Sequence, residues 1–199
     1  MVKQERAART REALVRAAAE VFFEEGYVAA SVAAISRRAG LTPGALHFHF
    51  ENKTALATAV EHRAADALRR LTGACGVDDP LEALVESTYE LMDLLTRDVV
   101  VRAGFALSVD ASYRSRVALR RQWGRWVGES LVAAHRAGRL ADGVSPQDAA
   151  RVVLASTVGL EVLGVAEPDW AAPDTLARIW ALLLPRIAAD GHQKTDRLV

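Results

Sequence analysis

The chain has 199 residues, of which 51% are hydrophobic, and its 25 Lys and Arg are balanced by 25 Asp and Glu. This composition excludes a polycationic nucleic-acid coat and an acidic disordered tail, and it is apolar enough to form a buried core. The single cysteine, Cys75, excludes an internal disulfide, the charged N-terminus is unlike a secretory leader, and no apolar stretch reaches roughly 18 residues, so we expect a cytoplasmic protein without a membrane span.

The first 50 residues predict three helices, with a tight turn before the third. Apolar residues from Leu14 to Phe22 recur on one helical face, and Gly26 suits the end of that helix. Ser31 is a good N-cap for a second helix that ends before Gly40, and Thr42, followed by proline, begins a third. Three short helices with this turn predict a helix-turn-helix motif. A small helical subdomain with a glycine turn is the alternative.

Six more helices are predicted along the rest of the chain. Their approximate ranges are 54–71, 81–97, 99–109, 113–137, 145–165 and 174–189. No segment has the alternating pattern of a strand, so nine helices predict an all-α fold. Residues 1–53 carry eight Lys and Arg against six Glu, whereas the remainder carries 17 basic and 19 acidic residues. The balanced total therefore conceals a slightly basic N-terminal segment.

Four motifs follow one another through residues 18–56: AAEVF at 18–22, GY at 26–27, SVAAI at 31–35 and AGLTPGALHFHFENKTAL at 39–56. In this order they resemble the DNA-binding domain of the TetR family of transcriptional regulators. The amino-acid sequence of the last segment is also similar to that of the γ-butyrolactone autoregulator receptors and pseudo-receptors of actinomycetes. The resemblance implies a TetR-like architecture, with a helix-turn-helix domain at residues 1–53 and a ligand-binding and dimerisation domain at 54–199. His47 departs from the family, which often has tyrosine there.

The resemblance also implies which residues contact DNA. Contacts with phosphates are expected from Thr10 or Arg11, Ser31, His47, His49 and Lys53, and an N-terminal arm could add Arg6 and Arg9. Contacts with bases are expected from Thr42, Gly44, Ala45 and Leu46, supplemented by Arg37 or Arg38. The small residues allow a close approach, but they offer few hydrogen bonds to bases. Much of the specificity would therefore come from thymine methyl groups and from DNA shape.

A ligand site is expected in the second domain. Trp123 and Trp126 lie three residues apart on one predicted helix, where they are either core residues or the wall of a cavity. In the butyrolactone receptors a tryptophan of this helix stacks on the ligand, and Trp123 is the first choice here. The other expected wall residues are Tyr89, Met92, Phe105 and Thr157. Glu161 is isolated in an apolar helix, and it either binds a ligand or partner subunit or lies at a hydrated edge.

The last two helices are predicted to form a homodimer. Residues 152–165 are apolar on nearly every side, and such a helix needs cover on more than one face. In TetR-like proteins these two helices pair with those of a second copy. A two-fold dimer places its two DNA-binding domains about one DNA turn (~34 Å) apart or somewhat more, which predicts a near-palindromic operator in double-stranded DNA. The effector would bind one conformation of the dimer more tightly than the other. The helix at 54–71, which joins the two domains, would transmit the resulting change to the DNA-binding domain.

We therefore expect a homodimeric repressor that is released from DNA by a small lipophilic effector. The resemblance implies a γ-butyrolactone signal that controls secondary metabolism, including antibiotic biosynthesis. The alternative within the family is a regulator that responds to an antibiotic or a biosynthetic intermediate. We expect no catalytic residue, metal or cofactor, because the chain has no glycine-rich phosphate loop and no zinc-binding or di-iron helix motif, and Cys75 has no nearby histidine. A helical adaptor protein that binds neither DNA nor a ligand is a further alternative, but it would not need the helix-turn-helix pattern at residues 40–53.

Overall fold

The computed structural model describes residues 2–73 and 78–189, and Cys75, expected to be an unreactive thiol, lies outside these ranges. The helices are α1 (Val2–Ala29), α2 (Val32–Arg38), α3 (Pro43–His49), α4 (Lys53–Gly73), α5 (Pro80–Arg97), α6 (Val99–Leu107), α7 (Leu119–Arg136), α8 (Pro146–Leu163) and α9 (Pro173–Ile187), with a short 3-10 helix at Pro168–Ala171. Within these ranges there are nine α-helices and no strand, which confirms the predicted all-α fold.

The capping residues indicated by the sequence do begin their helices. The hydroxyl oxygen of Ser31 accepts a hydrogen bond from the Ala34 backbone N–H at 3.1 Å at the start of α2. Thr42 accepts in the same way from the Ala45 N–H at 3.2 Å at the start of α3. Each bond pairs an N–H group that has no partner within the first helical turn. Because each bond spans only three residues, the sequence is sufficient to predict it.

The start of α7 differs from the sequence-based prediction. The helix was expected to begin near Tyr113, but it begins at Leu119. Tyr113 is only 6% exposed, and its hydroxyl group donates to the carboxylate of Glu61 in α4 at 2.9 Å. Ala118 has a φ of 50°, which is incompatible with an α-helix. The burial of Tyr113 against α4 therefore overrides the helical pattern, and residues 108–118 form the α6–α7 loop.

The helices are organised into two compact units. The first unit contains Met1–Ala67 and Arg97–Leu119, and the second contains Leu68–Thr96 and Arg120–Val199. The first unit therefore includes the domain predicted at residues 1–53, together with most of α4, α6 and the α6–α7 loop. The division of function between residues 1–53 and 54–199 stays a prediction, because compactness alone does not say which residues bind DNA.

The core of the first unit joins the three N-terminal helices to α4 and α6. Its fully buried members include Leu14, Val15, Ala18, Ile35, Leu46, Leu56, Val60 and Ala103. At one position α6 approaches α4 so closely that a side-chain carbon on Gly104 would overlap with the Cβ of Ala64. Glycine is needed there because any larger residue would push the two helices apart.

Polar contacts connect distant helices within the second unit. The guanidinium of Arg120 in α7 donates two hydrogen bonds to the Glu161 carboxylate in α8, at 2.9 and 2.8 Å. The indole N–H of Trp180 in α9 donates to the Thr88 hydroxyl in α5 at 2.8 Å. A bidentate ion pair with α7 therefore holds the Glu161 carboxylate, and the predicted uses of Glu161 stay predictions.

Candidate DNA-binding and ligand-binding sites

The turn between α2 and α3 has the geometry of a helix-turn-helix motif. Gly40 has a φ of 68°, which glycine adopts without strain. Its N–H donates to the Arg37 carbonyl at 3.1 Å, and the Leu41 N–H donates to the Ser36 carbonyl at 2.9 Å. This bonding pattern closes α2 in a Schellman motif. Leu41 then packs against the core that contains Ile35.

The orientation of α3 separates the predicted base-reading residues. Thr42 and Gly44 are exposed and Ala45 is half-buried, so all three have surface on the outside of the motif. Leu46 has no exposed surface and belongs to the hydrophobic core. The prediction that Leu46 contacts a base is therefore wrong for this structure. Its side chain anchors α3 against the neighbouring helices, because it lies on the helical face opposite to Gly44.

Phe48 is an outward-facing residue of α3 that the sequence reasoning missed. Its side chain is 83% exposed, and its ring meets the ring of His49 edge-on, with 5.3 Å between centroids. Phe48 lies three and four residues after Ala45 and Gly44, so helical spacing places all three on one face. That spacing was the available signal. A phenyl ring exposed on this face adds an apolar surface suited to thymine methyl groups.

The two arginines at the end of α2 have different environments. The guanidinium of Arg38 donates to both carboxylate oxygens of Glu24, at 2.9 and 2.6 Å, and to Glu20 at 3.3 Å. The hydrogen bond with Arg38 is the main cause of a lowered pKa for the Glu24 carboxyl. Arg37 is exposed and forms no ion pair with the described residues. Arg38 thus joins α2 to α1, whereas Arg37 stays exposed, and its contact with DNA stays a prediction.

Lys53 is engaged by the backbone at the end of α1. Its ammonium group donates to the carbonyls of Tyr27, Val28 and Ala30 at 2.7, 3.1 and 2.9 Å. It also lies 4.5 Å from the centroid of the Tyr27 ring. These bonds use all three N–H groups of the side chain, so a phosphate contact would require one of them to break. The geometry favours a structural role for Lys53, and the predicted phosphate contact stays a prediction.

The remaining predicted phosphate contacts are distributed around the motif. The Arg11 guanidinium lies 4.8 Å from the centroid of the Phe50 ring, and Arg11 is exposed. The Thr10 hydroxyl donates to a backbone carbonyl within α1 at 2.9 Å, which leaves Arg11 as the better of the two candidates. His47 is exposed and His49 half-buried at the end of α3. Ser31 uses its oxygen as a cap, which leaves its hydroxyl proton free for a phosphate.

In the second unit, three of the predicted ligand residues lie together. Trp123 is 1% exposed, and its indole N–H donates to the hydroxyl of Thr157 in α8 at 3.0 Å. Trp126 stacks on Trp123, with 5.1 Å between ring centroids and 23° between planes. Trp126 also lines a cavity of about 170 Å³. The other lining residues are Leu68, Arg69, Thr72, Gln122, Arg125 and Glu129. Whether Trp123 or Trp126 contacts an effector stays a prediction.

The other predicted ligand residues are less closely grouped. Met92 is buried in α5 of the second unit, and Tyr89 is half-buried on the same helix, where burial raises the pKa of its phenol. Phe105 is 1% exposed and belongs to α6 of the first unit. Tyr89, Met92 and Phe105 thus remain candidates from sequence alone.

Neither a metal site nor a membrane span is found in the part of the chain that the structure describes. No group of three His, Cys, Asp or Glu side chains is placed there to hold a metal ion. No helix among residues 2–73 and 78–189 combines the length and the apolar character needed to cross a bilayer.

A helix-turn-helix motif with an outward-facing third helix defines a DNA-binding regulator of transcription. Residues 14–60 match the model of the TetR family of bacterial regulatory proteins. Over 198 residues the chain is 31% identical to the A-factor receptor protein of Streptomyces griseus, an alignment that covers 96% of this chain and 68% of that protein. The chain therefore belongs to the TetR family, and it is a regulator related to the butyrolactone receptors rather than an enzyme.

Solved structures of similar regulators have the same fold. A γ-butyrolactone receptor described as ArpA-like matches with a TM-score of 0.80 and 28% identity, over 92% of this chain and 90% of that one. CprB of Streptomyces coelicolor, solved in complex with its biological operator sequence, matches with a TM-score of 0.77 and 30% identity, over 92% and 90% of the two chains. These matches confirm the predicted family and its TetR architecture.

Proposed function

We propose that this protein is a cytoplasmic, homodimeric repressor whose binding to an operator is relieved by a small lipophilic effector of the γ-butyrolactone type. One observation carries the proposal. The similarity to the A-factor receptor protein covers 96% of this chain, so it includes the predicted ligand-binding region as well as the helix-turn-helix motif. A shared DNA-binding motif alone would support only the regulator class.

The outward face of α3 supports operator recognition by close approach. Thr42, Gly44, Ala45 and Phe48 form its surface, and Arg37 and His47 are exposed nearby. Apart from the hydroxyl of Thr42, the side chains of this face offer no hydrogen bonds to bases. Readout would therefore depend on apolar contacts with thymine methyl groups and on groove shape, while exposed basic residues contact phosphates.

Exposed apolar side chains on α8 and α9 support the homodimer. They are Val152 (45% exposed), Val162 (51%), Leu163 (44%) and Leu182 (76%). Large apolar side chains that are exposed on two helices are typical of a surface that is covered by another chain. A second copy of the same chain covers it with two-fold symmetry, which would make the operator near-palindromic.

The cavity beside Trp126 supports the alternative effector class. Its lining includes the charged residues Arg69, Arg125 and Glu129, which a neutral lactone does not require. A more polar antibiotic or biosynthetic intermediate would use such groups for orientation. The paired indole rings of Trp123 and Trp126 are compatible with either class, because a flat aromatic surface packs against any apolar ring.

A gel-shift experiment tests the proposed function. The purified chain is incubated with DNA fragments from upstream of its own gene, with an unrelated fragment of equal length as control. A synthetic γ-butyrolactone, or a culture extract of the organism that encodes the protein, is then added. We expect a shift of a near-palindromic fragment that the lactone reverses. Reversal by the extract but not by the lactone supports the alternative effector class, and the absence of any specific shift contradicts operator binding.

A further inference from the structure

Glu61 is a fully buried carboxylate on α4, a position that is costly for a charged group. No described Lys, Arg or His pairs with it, and its partners are hydroxyl groups of the α6–α7 loop. Tyr113 donates to Oε2 at 2.9 Å, and Ser115 donates to Oε1. Burial raises the pKa of Tyr113 to about 12, so the phenol keeps its proton and remains a donor at neutral pH.

The polar contacts of Glu61 continue along one face of α4. Thr54, Thr58 and Glu61 are spaced by four and three residues, which aligns their side chains on a helix. The Thr58 hydroxyl lies 3.2 Å from the Tyr113 hydroxyl, and the Thr54 hydroxyl lies 2.9 Å from that of Tyr27 at the end of α1. Every hydroxyl of this stripe therefore has a partner in α1 or in the loop.

The α6–α7 loop is attached to the end of α1 as well as to α4. The rings of Tyr113 and Tyr27 pack with 4.8 Å between centroids. Hydrogen bonds lower the pKa of the Asp110 carboxyl, mainly one from the Ser112 side chain and further ones from the backbone groups of Ser112 and Tyr27. Tyr27 in turn supplies one of the three carbonyls that hold Lys53. The same loop continues directly into α7, the helix that carries the paired tryptophans.

We propose that Glu61 is a positioning residue that holds the α6–α7 loop against α4 and the end of α1, so that the position of the loop sets the orientation of the DNA-binding helices. A buried carboxylate bonded only to hydroxyls favours one geometry over others, because any shift of the loop leaves its oxygens unpaired. A change in α7 on effector binding reaches α3 through this loop. This last step rests on the proposed function, whereas the attachment itself does not.

Hydrogen exchange of the full-length protein tests the attachment without DNA. Ser115→Ala removes a hydroxyl that reaches α4 only through Glu61. The matched control is Ser108→Ala at the start of the loop, since the Ser108 hydroxyl donates only to the Phe105 carbonyl of the adjoining helix α6 at 2.7 Å. We expect Ser115→Ala to accelerate exchange at residues 26–31 as well as in the loop, and Ser108→Ala to leave residues 26–31 unchanged. Acceleration that is confined to the loop overturns the proposal.

Operator affinity tests the consequence for function. The duplex is selected from a random pool by the wild-type protein, and Ser115→Ala and Tyr113→Phe are compared at a temperature where each is fully folded. We expect affinity to fall by about fivefold or more with an unchanged salt dependence, because no phosphate contact is lost. If a variant has a lower melting temperature but an unchanged operator affinity, the lost hydrogen bond has only a structural role, and the inference is overturned. Failure to select any duplex contradicts the proposed function, while the exchange result still decides the attachment.

Discussion

The caps of the helix-turn-helix motif and the tryptophan contacts of the second unit differ in how far along the chain they reach. In the helix-turn-helix part of the first unit, Ser31 and Thr42 cap their helices through residues only three positions away. In the second unit, Trp123 bonds to a residue 34 positions away and Trp180 to one 92 positions away. Caps that depend on local contacts make a helix-turn-helix motif recognisable from sequence, although Arg38 and Lys53 also bind residues 14 and 26 positions away. The ligand site that we propose in the second unit would be assembled from distant helices, so its shape would change when any of those helices moves.

The largest expected effect concerns the apolar surface of the second unit. Leu182→Arg places an unpaired charge on the α9 face that we propose to be covered in the dimer. We expect this variant to be a monomer in analytical ultracentrifugation. Its operator affinity should be lower by about 10²- to 10⁴-fold, because two linked DNA-binding domains bind the two half-sites with an enhanced effective concentration. Glu86→Arg on the exposed surface of α5 is the control and should stay dimeric. A dimeric Leu182→Arg protein would argue that another surface pairs the subunits.

The next largest effect separates the inner and outer faces of α3. Leu46→Ala removes a fully buried side chain, so it should lower the free energy of unfolding by about 2–5 kcal/mol. Phe48→Ala changes a side chain that is 83% exposed, and stability should change by less than about 0.5 kcal/mol. Urea denaturation followed by circular dichroism measures both. Equal stability losses would show that the two residues are not on opposite sides of the helix.

An intermediate effect is expected for Lys53→Met, which distinguishes a structural lysine from a phosphate contact. The change leaves three backbone carbonyls without their charged donor, and we expect stability to fall by about 2 kcal/mol. The salt dependence of operator binding should be that of the wild-type protein. If stability is retained and the slope of log K against log salt decreases by about 1, Lys53 neutralises a phosphate instead.

The smallest effect is expected for Phe48→Ala on operator affinity. Loss of an apolar contact with a base should weaken binding to the cognate duplex by about fivefold, or about 1 kcal/mol, without changing the salt slope. Fluorescence anisotropy with cognate and scrambled duplexes measures the difference. Val28→Ala, at an apolar residue that is 73% exposed but outside α3, is the matched control. An equal loss of affinity for both duplexes would assign Phe48 to backbone contact.

Several sequence-based predictions depended on information that the sequence does not contain. The choice between Arg37 and Arg38 required the position of Glu20 and Glu24 on another helix, since both arginines fit the pattern equally well. The helical pattern also extended α7 back to Tyr113, because periodicity does not report that an aromatic side chain is buried against α4. In both cases the deciding partner lies far away in the chain.

The sequence by itself determined the all-α class, the family, the turn at Gly40 and the caps of α2 and α3, because these depend on long patterns or on bonds within a few residues. Only the tertiary structure decided that Leu46 faces inward and Phe48 outward, that three backbone carbonyls hold Lys53, and that Glu61 is buried among hydroxyl groups. The physical reason is that burial and polar pairing are properties of surfaces in contact. Such surfaces exist only once distant segments have packed together.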